Sequence, residues 1–112
     1  MTLTNADVAR LEAAGFRGFL RAGSRGQLHL RRVGDLCVFL RDGRCLAYHC
    51  RPEGCVLYPL VLDVGRDLVV LDDFCPHRDE FCFGDEERAC LRRSVADEER
   101  EAAARVSDQQ AV

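Results

Sequence analysis

Lysine, isoleucine and tryptophan are all absent from this 112-residue chain, and its sixteen basic residues are all arginine. Without lysine there is no Schiff base and no P-loop, since both need an amine. Because the gaps affect unrelated positions equally, they read as codon bias in a GC-rich genome. No C-x-x-C pair occurs, so a zinc ribbon or rubredoxin knuckle is excluded. A nucleotide-binding glycine fingerprint, a Ser-His-Asp pattern and paired catalytic carboxylates are missing too, so nothing marks this chain as an enzyme on its own. Neither a signal-type apolar segment near the start nor a run of about 18 apolar residues is present. The expectation is a cytoplasmic protein with no membrane segment.

The net charge of −3 gives no reason to expect nucleic acid as a partner. One stretch departs from that balance. Between Ala13 and Gly34 lie Arg17, Arg21, Arg25, Arg31 and Arg32 with no acid among them. With few aromatics interleaved for base stacking, it reads as a solvated basic surface facing an acidic C-terminal helix.

Seven cysteines are present. A reducing compartment disfavours stable disulfides and favours ligation or catalysis, and an odd total leaves one thiol over in any paired scheme. Small size points the same way. The stretch after Asp85 is rich in Glu, Arg and Ala, so roughly 80 residues must build most of the core, a length that metals often support.

The pattern predicts one small α+β domain: an N-terminal helix, two short β-hairpins around a cysteine metal site, and a C-terminal helix. Residues 1–84 form the cysteine-bearing part, and 85–112 the helix and a fraying tail. Thr4 and Asp7 at capping-box spacing open the first helix, and Gly15 stops it. Phe16, Phe19 and Leu20 suggest a short helical turn, followed by a loop at Gly23–Gly26. Gln27–Val33 alternates, and Gly34-Asp35 makes a turn. Asp42-Gly43 joins Leu36–Leu40 to Cys45–Tyr48, and Gly65-Arg66 joins Leu60–Val64 to Leu68–Leu71. Residues 49–54 and 73–83 are loops. In the last helix Leu91, Val95, Ala102 and Val106 share a stripe, with Ser94 or Asp97 as break points.

Thiolates at Cys37, Cys45, Cys55 and Cys75 would suit zinc or an iron–sulfur cluster. Their spacing, C-x7-C-x9-C-x19-C, is loose. Hairpin geometry adds to it. A two-residue turn at Gly65-Arg66 sets a register that carries Cys55 opposite Pro76, beside Cys75. At Asp42-Gly43, a two-residue turn pairs Leu40 with Cys45 and puts Cys37 and Cys45 on opposite faces. A bulged three-residue turn puts them on one face, so shared ligation predicts the bulge. Buried apolar thiols, or a Cys55–Cys75 disulfide, remain alternatives.

Several strings resemble a known family. Leu3-Thr4-x-x-Asp7-Val8-x-x-Leu11 comes first, and Cys37-Val38-Phe39-Leu40-x-Asp42-Gly43-x-Cys45 follows. Tyr48-x-x-Arg51-Pro52-x-x-Cys55-x-x-Tyr58-Pro59 and then Cys75-Pro76 complete the order. Over roughly residues 2–80 the chain is similar to the YkgJ-type cysteine-cluster family, described as zinc- or iron-chelating and related to the flagellin lysine methylase FliB. The resemblance implies Cys37, Cys45, Cys55 and Cys75 as ligands, with Arg51 and Pro52 shaping the turn before Cys55. The family's C-x-x-x-C-x-x-C-C run, which precedes the Leu-Thr segment, is lacking. That implies either ligands upstream or a reduced four-cysteine site. Val56 and His77 also depart from the family's usual Arg and Gly.

Cys50, His77 and Cys82 are secondary metal candidates. Cys90 is expected to pack inward from its helix, and His29 to be exposed. The leading functional expectation is a metal-binding module whose Zn2+ or iron–sulfur cluster is mainly structural. A redox or methyl-transfer accessory to an unidentified protein partner is the first alternative. A thiol redox sensor using Cys50 or Cys82 is the second.

Overall fold

Thr4 and Asp7 form the expected reciprocal cap. The Thr4 hydroxyl accepts from the Asp7 amide at 3.1 Å, and the Asp7 carboxylate accepts from the Thr4 amide at 3.0 Å. This starts helix α1, Asn5–Ala13, and Gly15 at φ 95° ends it. The computed structural model describes residues 1–110.

After α1 the chain departs from the expected helical turn. Gly18, at φ 69°, redirects the backbone, and Leu20–Ala22 becomes strand β1, paired antiparallel with β2, Leu28–Leu30. Short strands and two-residue turns then alternate. β3 (Arg32–Val33) pairs with β4 (Leu36–Cys37), and β5 (Leu40–Arg41) with β6 (Arg44–Cys45). A 3-10 turn at Tyr48–Cys50 leads to the five-residue helix α2, Glu53–Leu57. β7 (Leu60–Asp63) and β8 (Leu68–Leu71) form the last ribbon, in the register expected for Gly65-Arg66. Helix α3 runs unbroken over Asp85–Gln110. The fold is α+β as predicted, with four two-stranded ribbons among the described residues where two were foreseen.

Two apolar clusters hold these pieces. Leu3, Leu11, Phe19, Leu30, Phe39 and Ala47 form the first, with Phe39 against the rings of Phe16 and Phe19 at 5.1 and 5.7 Å. Leu57, Leu60 and Leu91 form the second, flanked by β7, β8, Phe81 and Phe83.

Helix α3 spans both halves. Leu91 enters the second cluster, while the Glu101 carboxylate accepts from the Asn5 amide at 2.8 Å and Arg105 donates to the Gly26 carbonyl at 2.9 Å. Ser94 and Asp97 do not interrupt it. Ser94 is buried, and Asp97 pairs with Arg100 one turn on. Past Val106, where fraying is expected, the helix is described up to Gln110, and residues 111–112 lie outside the described part. Among the described residues no helix is long and apolar enough to cross a membrane.

Candidate metal centre

Cys37 closes β4, Cys45 closes β6, and Cys55 lies in α2. The Asp42-Gly43 hairpin has the plain two-residue turn, with Asp42 at φ 51°, Gly43 at φ 75° and Leu40 opposite Cys45. The bulge that shared ligation called for is not formed, because both central residues accept positive φ in a type I′ turn.

The inference about faces nevertheless assumed one continuous strand from Cys37 to Arg41. A turn at Val38-Phe39 interrupts it, so strand alternation no longer fixes where the two thiols point. Val38 donates back to the Arg31 carbonyl and Leu46 to that of Phe39, which folds this segment into a tight meander over the first cluster.

Cys37, Cys45 and Cys50 all pack against that cluster. Cys37 and Cys55 line one cleft of about 280 Å3, together with Met1, Leu30, Arg31 and Arg32. Burial first, then charge on Cys37, with smaller contributions from Cys45 and Asp7 and against the chain's N-terminal ammonium, push the Cys55 thiol up to about 11. Cys37 and Cys45 are therefore its electrostatic neighbours.

Cys75 lies elsewhere. The expected β7–β8 register holds, and Asp72 extends it by donating to the Pro59 carbonyl at 2.7 Å. Before Pro59, however, the chain leaves the ladder for α2, so Cys55 is helical and does not stand opposite Pro76. Cys75 sits in the turn after β8, its amide donating to the Asp72 carbonyl at 3.2 Å, close enough for its charge to act on Tyr58. The Tyr58 hydroxyl donates to Asp72 at 2.6 Å, and that bond holds the phenol up at about 12. Tyr58 follows Cys55 by three residues, roughly one helical turn, or ~4.5 Å of rise.

Compared with known proteins, the chain matches no family model, no curated protein and no solved structure. Its chemistry rests on the geometry alone.

As the side chains stand, no three His, Cys, Asp or Glu groups among the described residues are arranged to hold a metal ion. Cys37 and Cys55 line one cleft, the charge of Cys45 reaches Cys55, and Cys75 lies in the turn after β8, where its charge reaches Tyr58. Binding a cation there requires the sulfurs to draw together.

The secondary candidates are scattered. His77 is exposed and pairs with Glu80 at 3.1 Å, and Cys82 is exposed. Cys90 does face inward, with its thiol donating to the Glu53 carboxylate at 2.6 Å. His29 is half-buried rather than exposed, because Thr2 bridges to it. Burial, with Arg21 and the N-terminus beyond it, lowers its pKa.

Met1, Arg31 and Arg32 line the cysteine cleft without having been foreseen. No local pattern could have announced them, since tertiary packing alone brings them there. Arg25 shares a cleft with Glu98 and Glu99 of α3, so part of the basic stretch does face the acidic helix.

Proposed function

We propose that this chain is a thiolate metal-binding module of the YkgJ-like kind, with Cys37, Cys45, Cys55 and Cys75 closing on Zn2+. One observation carries the reading: Cys37 and Cys55 line a single cleft, and Cys45 lies close enough for its charge to act on Cys55. Soft thiolates discriminate against hard cations. Four thiolates leave zinc no open position, so the metal's role is structural.

Joining Cys75 to the set requires the turn after β8 to move toward α2. Each thiol must give up its proton to become a ligand, so the high Cys55 pKa makes uptake strongly pH-dependent. Such binding can add ~10–16 kcal/mol to folding, comparable with the whole stability of a small domain. An iron–sulfur cluster on the same thiols, serving a redox or methyl-transfer accessory role, finds no distinguishing support in these residues. For a thiol sensor at Cys50 or Cys82, the raised pKa makes Cys55 a poor resolving thiol, while Cys82 is exposed.

Anaerobic purification with elemental analysis, a visible spectrum and thermal melting with and without chelator tests the reading. About one zinc per chain is expected, with affinity rising steeply between pH 6 and pH 8 and lost in Cys55→Ser. A colourless, metal-free protein that ignores added zinc and melts unchanged with chelator would refute it. A visible iron–sulfur band would replace zinc with the cluster.

A further inference from the structure

A second cleft, of about 460 Å3, shares no lining residue with the cysteine cleft. Its wall carries Arg10, Tyr48, His49, Arg51, Val56 and Leu57, with Glu53 and Cys90 completing it. The Arg51-Pro52 pair sets its shape. A residue before proline is held extended, and Arg51 sits at φ −59°, ψ 151°.

From there its guanidinium lies 4.1 Å from the centre of the Tyr48 ring and donates through Nη1 to the Tyr48 carbonyl at 3.0 Å. Arg10 is pinned through Nη2 alone, to Asp7 at 2.8 Å and to the Arg51 carbonyl at 3.1 Å. Both guanidinium groups are thus fixed through one nitrogen. Their remaining N–H groups meet no acceptor among the described residues.

The local acids, Glu53 on the wall included, already have donors. Asp7 accepts from the amides of Thr4 and Glu53 as well as from Arg10. Glu53 takes the Cys90 thiol and, at 3.1 Å, Arg93. Among the described residues no carboxylate pairs with Arg51. Among the residues that line the cleft, Arg10 and Arg51 against Glu53 leave one positive charge over.

A planar fork of surplus donors suits a carboxylate or phosphate. The cavity is far larger than a bare phosphate and falls in the small-molecule range. Val56 and Leu57 offer its occupant apolar contact. Glu53 keeps the Cys90 thiol protonated, so this wall supplies no thiolate nucleophile and the cleft is suited to binding.

The geometry points to a cleft that binds a small organic oxyanion, a carboxylate or a phosphate monoester, through Arg51 and Arg10, with its apolar part against Val56 and Leu57. This is independent of any metal. Titration of the full chain with phenyl phosphate, benzoate and uncharged benzyl alcohol, followed by amide NMR, tests it. Saturable shifts around residues 48–57 are expected with at least one of the two anions, and the tighter one names the anionic group.

Arg51→Gln should weaken binding about tenfold, the scale of one charge-assisted pair. Because Arg51 also braces Tyr48, a second variant is needed. Val56→Glu, at a half-exposed site, adds a carboxylate to the wall and should abolish binding with the spectrum otherwise dispersed as in the parent. Equal binding of benzyl alcohol would overturn the proposal. So would shifts spread over Arg17–Arg32 instead of the cleft, or wild-type affinity in a folded Val56→Glu protein.

Discussion

Asp7 shows how one side chain can serve two scales. Its pairing with Thr4 was legible, because a capping box is written in residues three apart. Its other bonds were not. The same carboxylate, almost fully buried, accepts from Arg10 and from the Glu53 amide 46 residues on, tying α1 to α2. No sequence window contains both partners. Ser94 is the opposite case. It reads as a helix breaker, yet it lies buried within α3, and its hydroxyl has no hydrogen-bond partner among the described residues. A buried hydroxyl without a partner is a cost, and alanine is also the better helix former. Ser94→Ala should therefore stabilise the protein by about 1 kcal/mol, read as a higher urea midpoint at unchanged slope. A lower midpoint would show that the hydroxyl is satisfied in solution.

Among the elements, those fixed by neighbouring residues were the readable ones. The Asp42-Gly43 turn and the β7–β8 register follow from turn chemistry; the register was met, whereas the Asp42-Gly43 hairpin forms only over Leu40–Arg41 and Arg44–Cys45, without the bulge. The β1–β2 ribbon was missed because Leu20-Arg21-Ala22 is too short to show alternation and takes its identity from Leu28–Leu30. The expected placement of Cys55 opposite Pro76 failed for a related reason. The register was right, but where the strand ended decided the contact. How α3 docks could not be read either, and two glycines isolate it. Gly26 and Gly34 both have positive φ, 80° and 63°. An added Cβ at Gly34 meets nothing, whereas at Gly26 it would strike the Ala102 carbonyl and crowd Val106 of α3. Gly34→Ala should cost about 1 kcal/mol from backbone strain alone. Gly26→Ala should cost roughly 1–3 kcal/mol more, because helix and loop must part. Equal losses in chemical denaturation would mean that α3 does not bear on that loop in solution.

For the whole molecule, the seam between α3 and the rest brings like charges together. Glu98 of α3 is half-buried. Burial first, and then the Asp7 carboxylate of α1, raise its pKa to about 7, with Glu101 and Glu53 adding to them and the N-terminal ammonium opposing. In the unfolded chain the same group titrates near 4.5. The folded state therefore holds this proton more tightly. Its contribution to stability is complete below the unfolded value and is lost as pH rises through about 7. His29 acts with the opposite sign nearby: its pKa is lowered on folding, so its contribution is present above 6.5 and fades as pH falls. Wild type alone would blend the two, and Glu98→Gln separates them. The difference in unfolding free energy between Glu98→Gln and wild type should grow by about 1–2 kcal/mol from pH 5 to pH 8, once solvent screening is discounted. The amide does not ionise at the seam, so the variant should be the more stable protein at pH 8. If the two curves run parallel across that range, Glu98 is solvated and α3 does not press it against Asp7.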